Sequence, residues 1–266
     1  WSQKSGSYYA TIEIDGVTYK GVFFKQYDES SSNKETMTFS VIGSNNIALW
    51  GSRTGAVVAP ETGKQVAAYK FDSASALGKD TVGTVGNATI FGCTTYNDSV
   101  RGKVLAFDGV DDYVQLTTKA TDYDSYTIML WFKSTSDATW QRLLDLGDNS
   151  ASSMFVTTHA WDAGLRFAQQ INGDGEKQIN ASTTTLNQWT HVAITVNGKT
   201  KNATMYVNGV RVGGVALSAV PSGYAGTANY LGKSQYDDPY FKGYMDDVMI
   251  FDYALSTDEI KEKAGL

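Results

Sequence analysis

Hydrophobic and polar residues alternate with a period of two along much of this chain, a pattern typical of half-buried β-strands. Near the N-terminus, the apolar side chains of residues 8–14 share one parity and end at Asp15-Gly16, a strong two-residue hairpin turn. Residues 37–41 alternate in the same way, and a second turn is expected near Asn45-Asn46. The pattern therefore predicts a small β unit of two hairpins within residues 1–51.

Residues 52–64 contain Gly, Pro and small polar residues, and we interpret them as a linker. Alternating and apolar stretches return after it, for example in Tyr126–Lys133 and Trp189–Gly198. These stretches predict a second, larger β domain over residues 65–266.

A helix is predicted only at the C-terminus. Ser256 and Glu259 have the spacing of a capping box, in which each side chain bonds the other residue's backbone amide. Gly265 is the expected stop of this helix.

Composition and charge exclude several classes of protein. The net charge is −6 without a basic block, which argues against a nucleic-acid surface. Cys93 is the only cysteine, so neither a disulfide framework nor a thiolate metal cluster is expected. No apolar run approaches the roughly 20 residues of a membrane span. The chain starts at Trp1 without a methionine or signal sequence, and we expect a fragment or processed form.

The larger domain resembles the laminin-G-like, concanavalin-type jelly roll. The resemblance lies in the order and spacing of FDGVDDYVQL (107–116), YTIMLWFK (126–133), LLDLGD (143–148), WTHVAITVNG (189–198), ATMYVNGVRVGG (203–214) and YFKGYMDDVMIFDYALSTDEI (240–260). It implies an all-β sandwich of the kind that usually binds sugars or mediates adhesion in extracellular proteins.

The small unit resembles a different family, on GSYYATIEIDGVTYKGVFFKQYDE and TFSVIGSNNIALWG. These segments are similar to the C-terminal β-barrel domain of arabinanase-type glycoside hydrolases of family 43. The unit looks short for that family, as if its first strands were missing. The resemblance implies a barrel-like unit that accompanies a catalytic domain.

Catalysis by this chain is not expected. Glycanases of the concanavalin type carry Glu-x-Asp-x-x-Glu on one strand, and this sequence lacks that pattern. The carboxylates of Asp258, Glu259 and Glu262 form a solvated helix face instead of the closely spaced pair that a glycosidase needs. His159 and His191 lack a Gly-x-Ser-x-Gly partner, and we interpret His191 as structural and His159 as a loop residue that could touch a ligand.

A structural calcium ion is a possible cofactor, because acidic loops and carbonyl groups at a sandwich edge supply the oxygens that Ca²⁺ requires. The jelly-roll resemblance implies Asp108 and Asp246 as ligands, with Asp80 and Asp112 in reserve. The alternative is that Asp108 only closes a turn and that Asp246 only anchors the last strand.

A sugar site would need aromatic faces for the CH groups of the ring and polar groups for its hydroxyls. Trp131 and Trp189 are expected in the core, and Trp50 is interpreted as structural. The residues left as candidates for contact with carbohydrate lie in expected loops or beside them: Trp140, Trp161, Tyr236, Tyr240, Arg166, Gln169 and Asp237. For each of them, an ordinary loop role is the alternative.

Taken together, the sequence predicts a non-catalytic carbohydrate-binding region of a secreted or cell-surface bacterial glycoside hydrolase. Its expected partners are a plant polysaccharide or oligosaccharide, such as arabinan or arabinoxylan, and an upstream catalytic domain of the same polypeptide. Neither nucleic acid nor a membrane span is expected. Two alternatives stay open: an adhesion or spacer domain without affinity for glycans, and a fragment with weak glycosidase activity of its own.

Overall fold

In a computed structural model, the chain forms two compact units, Trp1–Ala59 and Pro60–Leu266. The structure describes residues 62–148, 152–223 and 226–266 in full, and the first 61 residues only through the backbone of their strands. The predicted turns at residues 15–16 and 45–46, most of the predicted linker, and the side chains of Trp1 and Trp50 lie outside the described residues.

The first unit is an antiparallel sheet whose strands follow one another in chain order. They are β1 Ser2–Lys4, β2 Ser7–Ile14, β3 Val17–Tyr27, β4 Glu35–Val41 and β5 Ala48–Arg53. Ile14 lies opposite Val17, and Ser40 lies opposite Ala48, so the predicted hairpins β2–β3 and β4–β5 are both present. The third pairing, β3 with β4, joins the two hairpins into one sheet.

The second unit consists of β6–β20 and a terminal helix. Its strands are β6 Gln65–Tyr69, β7 Thr89–Phe91, β8 Thr94–Asp98, β9 Gly102–Asp108, β10 Tyr113–Leu116, β11 Tyr126–Ser134, β12 Arg142–Gly147, β13 Ser153–Thr157, β14 Arg166–Gln170, β15 Lys177–Asn180, β16 Thr190–Asn197, β17 Asn202–Val207, β18 Val210–Ala216, β19 Ala228–Leu231 and β20 Lys242–Phe251, and the helix is α1 Thr257–Ala264.

These strands form two antiparallel sheets. One has seven strands in the order β15-β14-β13-β12-β19-β10-β7. The other has the order β18-β17-β16-β11-β20-β9-β8, with β6 paired to β20 as its eighth strand. Many neighbours in each sheet are distant in sequence, because the chain crosses repeatedly from one sheet to the other. The arrangement confirms the all-β sandwich of jelly-roll type.

The core fills the space between the sheets with one side of each strand. Ile128 and Leu130 of β11 belong to the same buried cluster as Val156 of β13 and Phe167 of β14. Their neighbours in sequence point away from the core, as the two-residue period requires. Burial of each such side chain stabilises the fold by about 1.5–3 kcal/mol.

Helix α1 covers part of the outer face of the eight-stranded sheet. Ile260 and Ala264 pack there against a second apolar cluster that includes Met129 and Met249. The predicted capping box is present, since Ser256 Oγ accepts from Glu259 N at 3.3 Å and Glu259 Oε2 accepts from Ser256 N at 2.8 Å. Gly265 ends the helix with φ +71°, as predicted.

The structure does not place Trp131 and Trp189 in the core between the sheets as predicted, although Trp131 packs against the second apolar cluster. Both are half-buried and lie outside the cluster between the sheets. The guanidinium carbon of Arg101 lies 4.6 Å from the ring centroid of Trp131 and 5.4 Å from that of Trp189. Trp131 follows Leu130 directly, so strand alternation places its side chain on the opposite face of the sheet. There the rings of Trp131 and Trp189 lie against the guanidinium group of Arg101.

Candidate functional site

The predicted sugar-contacting loops leave the seven-stranded sheet at one end. Arg142, the first residue of β12, lies opposite Thr157, the last of β13, and Thr157 lies opposite Arg166 at the start of β14. In the same sheet, Leu231 at the end of β19 lies opposite Val114. Because neighbouring strands run antiparallel, the loops 135–141, 158–165 and 232–241 all meet at this end.

A β-bulge places Arg142, which is 3% exposed, on the outer side of the sheet at the start of β12. Arg142 pairs with Thr157 but Leu144 pairs with Val156, so Leu143 is an extra residue in β12. In a regular strand, Arg142 and Leu144 would lie two residues apart on the same, inward side. The bulge instead brings the guanidinium carbon of Arg142 to 4.1 Å from the ring centroid of Phe155 on the outer face.

Carboxylates on both sides neutralise Arg142. Its Nη2 lies 2.9 Å from Asp238 Oδ2, and its Nε lies 3.5 Å from Asp145 Oδ2. Asp145 is fully buried and also accepts a bond of 2.7 Å from Gln235 Nε2. Burial raises the pKa of the Asp145 carboxyl, while the positive charge of Arg142 and the bonds from Gln235 and Arg142 oppose that rise. The group links strand β12 to loop 232–241.

Arg166, one of the predicted residues, is also held by several partners. Its Nε donates to Asn180 Oδ1 at 2.7 Å, its Nη2 bonds Asp162 Oδ1, and its Nη1 lies 3.9 Å from Glu176 Oε2. These partners fix the guanidinium plane near the ring of Trp140, whose centroid is 5.8 Å from Arg166 Cζ. Arg166 is only 4% exposed, so the arrangement holds a buried polar group beside an aromatic side chain.

The two predicted tryptophans differ in exposure. Trp161 is 81% exposed at the tip of a tight turn closed by the bridge between Ala160 and Ala163. Trp140 is half-buried, and its backbone has φ +67°, an unusual conformation for a bulky side chain. Its carbonyl accepts a bond of 2.9 Å from Arg142 Nη1, which helps to hold that conformation. Strain of this kind is found most often at ligand sites.

Loop 232–241 carries the other predicted contacts. Tyr236 is 51% exposed and Asp237 is exposed, whereas Tyr240 is half-buried. The loop is tied to loop 135–141, since Gln141 Nε2 donates to Tyr240 O at 2.7 Å. Within the loop, Ser234 Oγ donates to Asp238 Oδ2 at 2.8 Å, and that oxygen lies 2.9 Å from Arg142 Nη2 of β12.

Sequence reasoning missed the aromatic residues of the sheet itself. Tyr113 stacks on Phe91 with centroids 4.3 Å apart and lies edge-on to Tyr230 at 5.7 Å. Tyr240 joins them at 6.3 Å from Tyr113, and Lys233 Nζ lies 4.4 Å from the centroid of Tyr113. Arg142, Asp145 and Phe155 were missed as well, but they are 3%, 0% and 3% exposed and therefore hold the site together without touching a sugar. A signal was present: Tyr113 and Tyr230 sit one residue before the inward-facing Val114 and Leu231, and alternation therefore sends them outward.

Gln169 does not belong to the candidate site. It is fully buried on the inner side of β14, where its Oε1 accepts from Ser218 N at 3.2 Å and its Nε2 donates to Ala219 O at 2.7 Å. A side chain with no exposed surface cannot contact a sugar. Gln169 lies two residues from the inward-facing Phe167, and residues two apart in a strand share a face.

The structure does not bring the predicted metal ligands Asp108 and Asp246 together. Asp108 lies opposite Lys242 at the start of β20, and Asp246 is farther along that strand. Asp108 Oδ1 accepts from Val110 N at 2.8 Å, which is the turn-closing role, and Asp246 Oδ2 accepts from Arg101 Nε at 2.8 Å. The carboxylates of Asp108, Asp111 and Asp112 do lie within 4.8 Å of one another.

Of the reserve ligands, Asp80 is occupied by the backbone. It is buried, and its carboxylate accepts from the amides of Ala68, Val82 and Gly86 at 3.0 Å each. These bonds hold the segment that follows β6 and leave little of the carboxylate for a metal ion.

His191, Trp131 and Asp246 form a row across three neighbouring strands of the eight-stranded sheet. Within the described part of the chain, neither ring nitrogen of His191 nor Asp246 Oδ1 has a hydrogen-bond partner. Burial lowers the pKa of His191 to about 4, and Arg101 adds to the effect. Burial and the charge of Asp247 raise the pKa of Asp246 to about 6, against the effect of Arg101. His191 is buried and structural, as predicted.

Residues 108–261 match the model of the concanavalin A-like lectin/glucanases superfamily. The chain belongs to this superfamily. Residues 1–51 match a second family model, that of a C-terminal lipocalin-like domain found in glycoside hydrolases of family 43. Both resemblances inferred from the sequence are thereby confirmed.

One curated relative matches the small unit. The extracellular endo-α-(1→5)-L-arabinanase 2 of Bacillus subtilis is 43% identical over 51 residues. The match covers 19% of this chain and only 11% of that enzyme.

Solved structures match the sandwich of this superfamily member. Domain 4 of AbnA, an extracellular family 43 arabinanase of Geobacillus stearothermophilus solved with arabinotriose, has a TM-score of 0.67 and 22% identity, covering 77% of this chain and all of that domain. The binding domain of botulinum neurotoxin serotype D has a TM-score of 0.57 and 17% identity, covering 76% of this chain and 51% of that one. At these identities the similarity establishes the fold. None of the helices in the described residues is long and apolar enough to span a membrane.

Proposed function

We propose that this chain is a non-catalytic carbohydrate-binding region that binds arabinan or arabinoxylan. The exposure of Trp161 carries the proposal, since the residue is 81% exposed at the loop end of the seven-stranded sheet. Exposure of a large aromatic ring to water is unfavourable. A sugar ring that stacks on it removes this apolar surface from water. Asp162, the next residue in the chain, bonds the buried Arg166, whose Cζ lies 5.8 Å from the ring centroid of the half-buried Trp140.

The substrate class rests on the relatives. The sandwich is similar to an arabinanase domain solved with arabinotriose, and the small unit is similar to part of an extracellular arabinanase. We infer that the chain accompanies a catalytic domain in a secreted bacterial enzyme and keeps that enzyme at its polymeric substrate. Attachment of this kind raises the effective concentration of substrate without taking part in the reaction.

A glycosidase activity of this chain is less well supported. Asp145 is fully buried and bonded to Arg142 and Gln235, so it cannot reach a glycosidic bond. Asp162 and Asp238 are each paired with an arginine. A spacer without glycan affinity is also disfavoured, because that role predicts packed tryptophans and Trp161 is exposed.

Affinity electrophoresis tests the proposal directly. The purified chain is run through gels that contain arabinan, arabinoxylan or galactan, and we expect retardation by one or both of the first two. Trp161→Ala should abolish most of the retardation. Tyr96→Ala is a matched control, since Tyr96 is an exposed aromatic residue of β8 in the other sheet. Absence of retardation by all three glycans overturns the proposal, and release of reducing sugar by the chain would replace it with an enzyme.

A bound calcium ion stays a prediction, and the same experiment tests it. The gels are run with calcium and with a chelator, and the melting temperature is measured under both conditions. A structural ion should raise the melting temperature by mass action. If Asp111→Asn abolishes the rise in melting temperature with calcium, the ion lies at Asp108, Asp111 and Asp112. If Asp246→Asn abolishes it, the ion lies at the predicted pair Asp108 and Asp246.

A further inference from the structure

An aromatic platform occupies the outer face of the seven-stranded sheet on the β7 side of Arg142. We define it as Phe91, Tyr113, Tyr230 and Tyr240. Phe91 and Tyr113 lie opposite each other in β7 and β10, and their rings are almost parallel, with 7° between the planes. Tyr230 stands at 88° to Tyr113, so the ring edges and faces form a continuous surface.

Lys233 lies on this platform. Its Nζ is 4.4 Å from the ring centroid of Tyr113, 4.9 Å from that of Tyr230 and 6.0 Å from that of Tyr240. The ammonium group of Lys233 is attracted by the electron-rich faces of these three rings, and this attraction restricts its movement. Phe91 covers one face of Tyr113 and Lys233 takes the other, so the ring of Tyr113 is closed to a sugar. This part of the face presents a positive charge to a ligand.

The charge of Lys233 is not neutralised as the neighbouring charges are. Arg142 and Arg166 each have carboxylate partners, but among the described residues no carboxylate oxygen lies within 4.0 Å of Lys233 Nζ. In a chain with net charge −6, Lys233 is thus a cation without a carboxylate partner on the candidate face.

The backbone before Lys233 is fixed by its surroundings. Gly232 has φ +80°, and an added Cβ would lie 2.5 Å from Phe107 Cε1, so only glycine fits. Gly232 N donates to Leu143 O at 3.2 Å, and Gly232 O accepts from Phe241 N at 2.9 Å. The backbone that leads into Lys233 is therefore held in place. Its ammonium group is positioned before a ligand binds.

We propose that Lys233 on the aromatic platform binds the carboxylate of a uronic acid residue carried by the polysaccharide. This inference rests on the proposed function and adds to it a preference for acidic over neutral glycan. Trp161 and Trp140 contact neutral sugar at the β13–β14 side of the face, and Lys233 pairs with an acidic residue elsewhere on the same glycan. An exposed ion pair of this type is modest, and about a threefold gain in affinity is expected, decreasing as salt is added.

Isothermal titration calorimetry with a matched pair of glycans tests the proposal. The ligands are an arabinoxylan that carries glucuronic acid, the same polymer after reduction of its carboxyl groups to alcohols, and neutral arabinotriose. The unmodified chain should bind the acidic polymer about threefold more tightly than the reduced one at low salt, and equally at high salt.

Variants then assign the effect. Lys233→Gln should remove the preference and leave the affinity for arabinotriose unchanged, while Lys233→Arg should keep it. Lys199→Gln is the control, because it removes one positive charge from an exposed turn of the other sheet. Equal affinity of the unmodified chain for the two polymers overturns the inference, as does a preference that survives Lys233→Gln. If arabinotriose and both polymers fail to bind, the proposed function itself is wrong.

Discussion

Arg142 lies over the ring of Phe155, 4.1 Å from its centroid, although the two-residue period of β12 would send Arg142 into the core. The extra residue Leu143 is the cause, since it restores an apolar side chain to the core and turns Arg142 outward. A single bulge thus places a buried arginine on the outer side of the strand end from which the candidate loops emerge.

Removal of the Arg142 charge should destabilise the sandwich strongly. Arg142→Met leaves the buried carboxylate of Asp145 without its cation, and we expect a loss of about 3 kcal/mol or more in the free energy of unfolding. The double variant Arg142→Met with Asp145→Asn should recover part of that loss, because no unpaired charge remains. Urea denaturation of both variants measures the coupling. A single variant as stable as the unmodified chain contradicts the assignment.

Trp161→Ala should separate binding from stability. Because the side chain is 81% exposed, the free energy of unfolding should change by less than about 0.5 kcal/mol. The affinity for arabinan should fall about tenfold, which corresponds to the loss of one good stacking contact. Calorimetry and urea denaturation give the two values. Unchanged affinity in a chain that still binds arabinan would move the site away from Trp161.

The buried pair His191 and Asp246 should give opposite slopes of stability against pH. The pKa of His191 is lowered from 6.5 to about 4, so the folded chain binds fewer protons than the unfolded chain between these values. Its contribution to stability is complete above pH 6.5 and is lost as the pH falls toward 4. The pKa of Asp246 is raised from 3.8 to about 6, so its contribution is present at low pH and is lost as the pH rises through that range.

Two variants check these signs by urea denaturation between neutral and acidic pH. His191→Gln should reduce the decrease in the free energy of unfolding between neutral and acidic pH by up to about 3 kcal/mol. Each unit of pKa shift corresponds to about 1.4 kcal/mol. Asp246→Asn should steepen the same loss, because the opposing contribution disappears. Parallel profiles for all three proteins would show that neither group titrates as described.

The N-cap of α1 should contribute measurably to the cover of the eight-stranded sheet. Ser256→Ala removes the side-chain bond to Glu259 N, and a loss of about 1 kcal/mol in the free energy of unfolding is expected. Ser256→Asp, which can still cap the helix, is the matched control and should retain most of the stability. Thermal unfolding distinguishes the two variants, and equal losses would mean that the bond is not what stabilises this helix end.

The sequence by itself determined the strands, the class of fold and the terminal helix. Alternation near Ile12 and Phe39 and around Trp131, together with the capping residues Ser256 and Glu259, depends only on contacts between near neighbours. Such local rules also placed Trp161 in a turn. The periodicity of two fixes which side chains share a face, but it does not say which face is covered.

Only the tertiary structure decided which residues meet. The bulge at Leu143, the burial of Gln169, the arginine between Trp131 and Trp189, and the separation of Asp108 from Asp246 all depend on strand pairing between distant parts of the chain. The aromatic platform under Lys233 likewise draws on three strands and a loop. Pairings of this kind are set by the packing of two whole sheets, because each sheet buries one face against the other, and no short stretch of sequence encodes them.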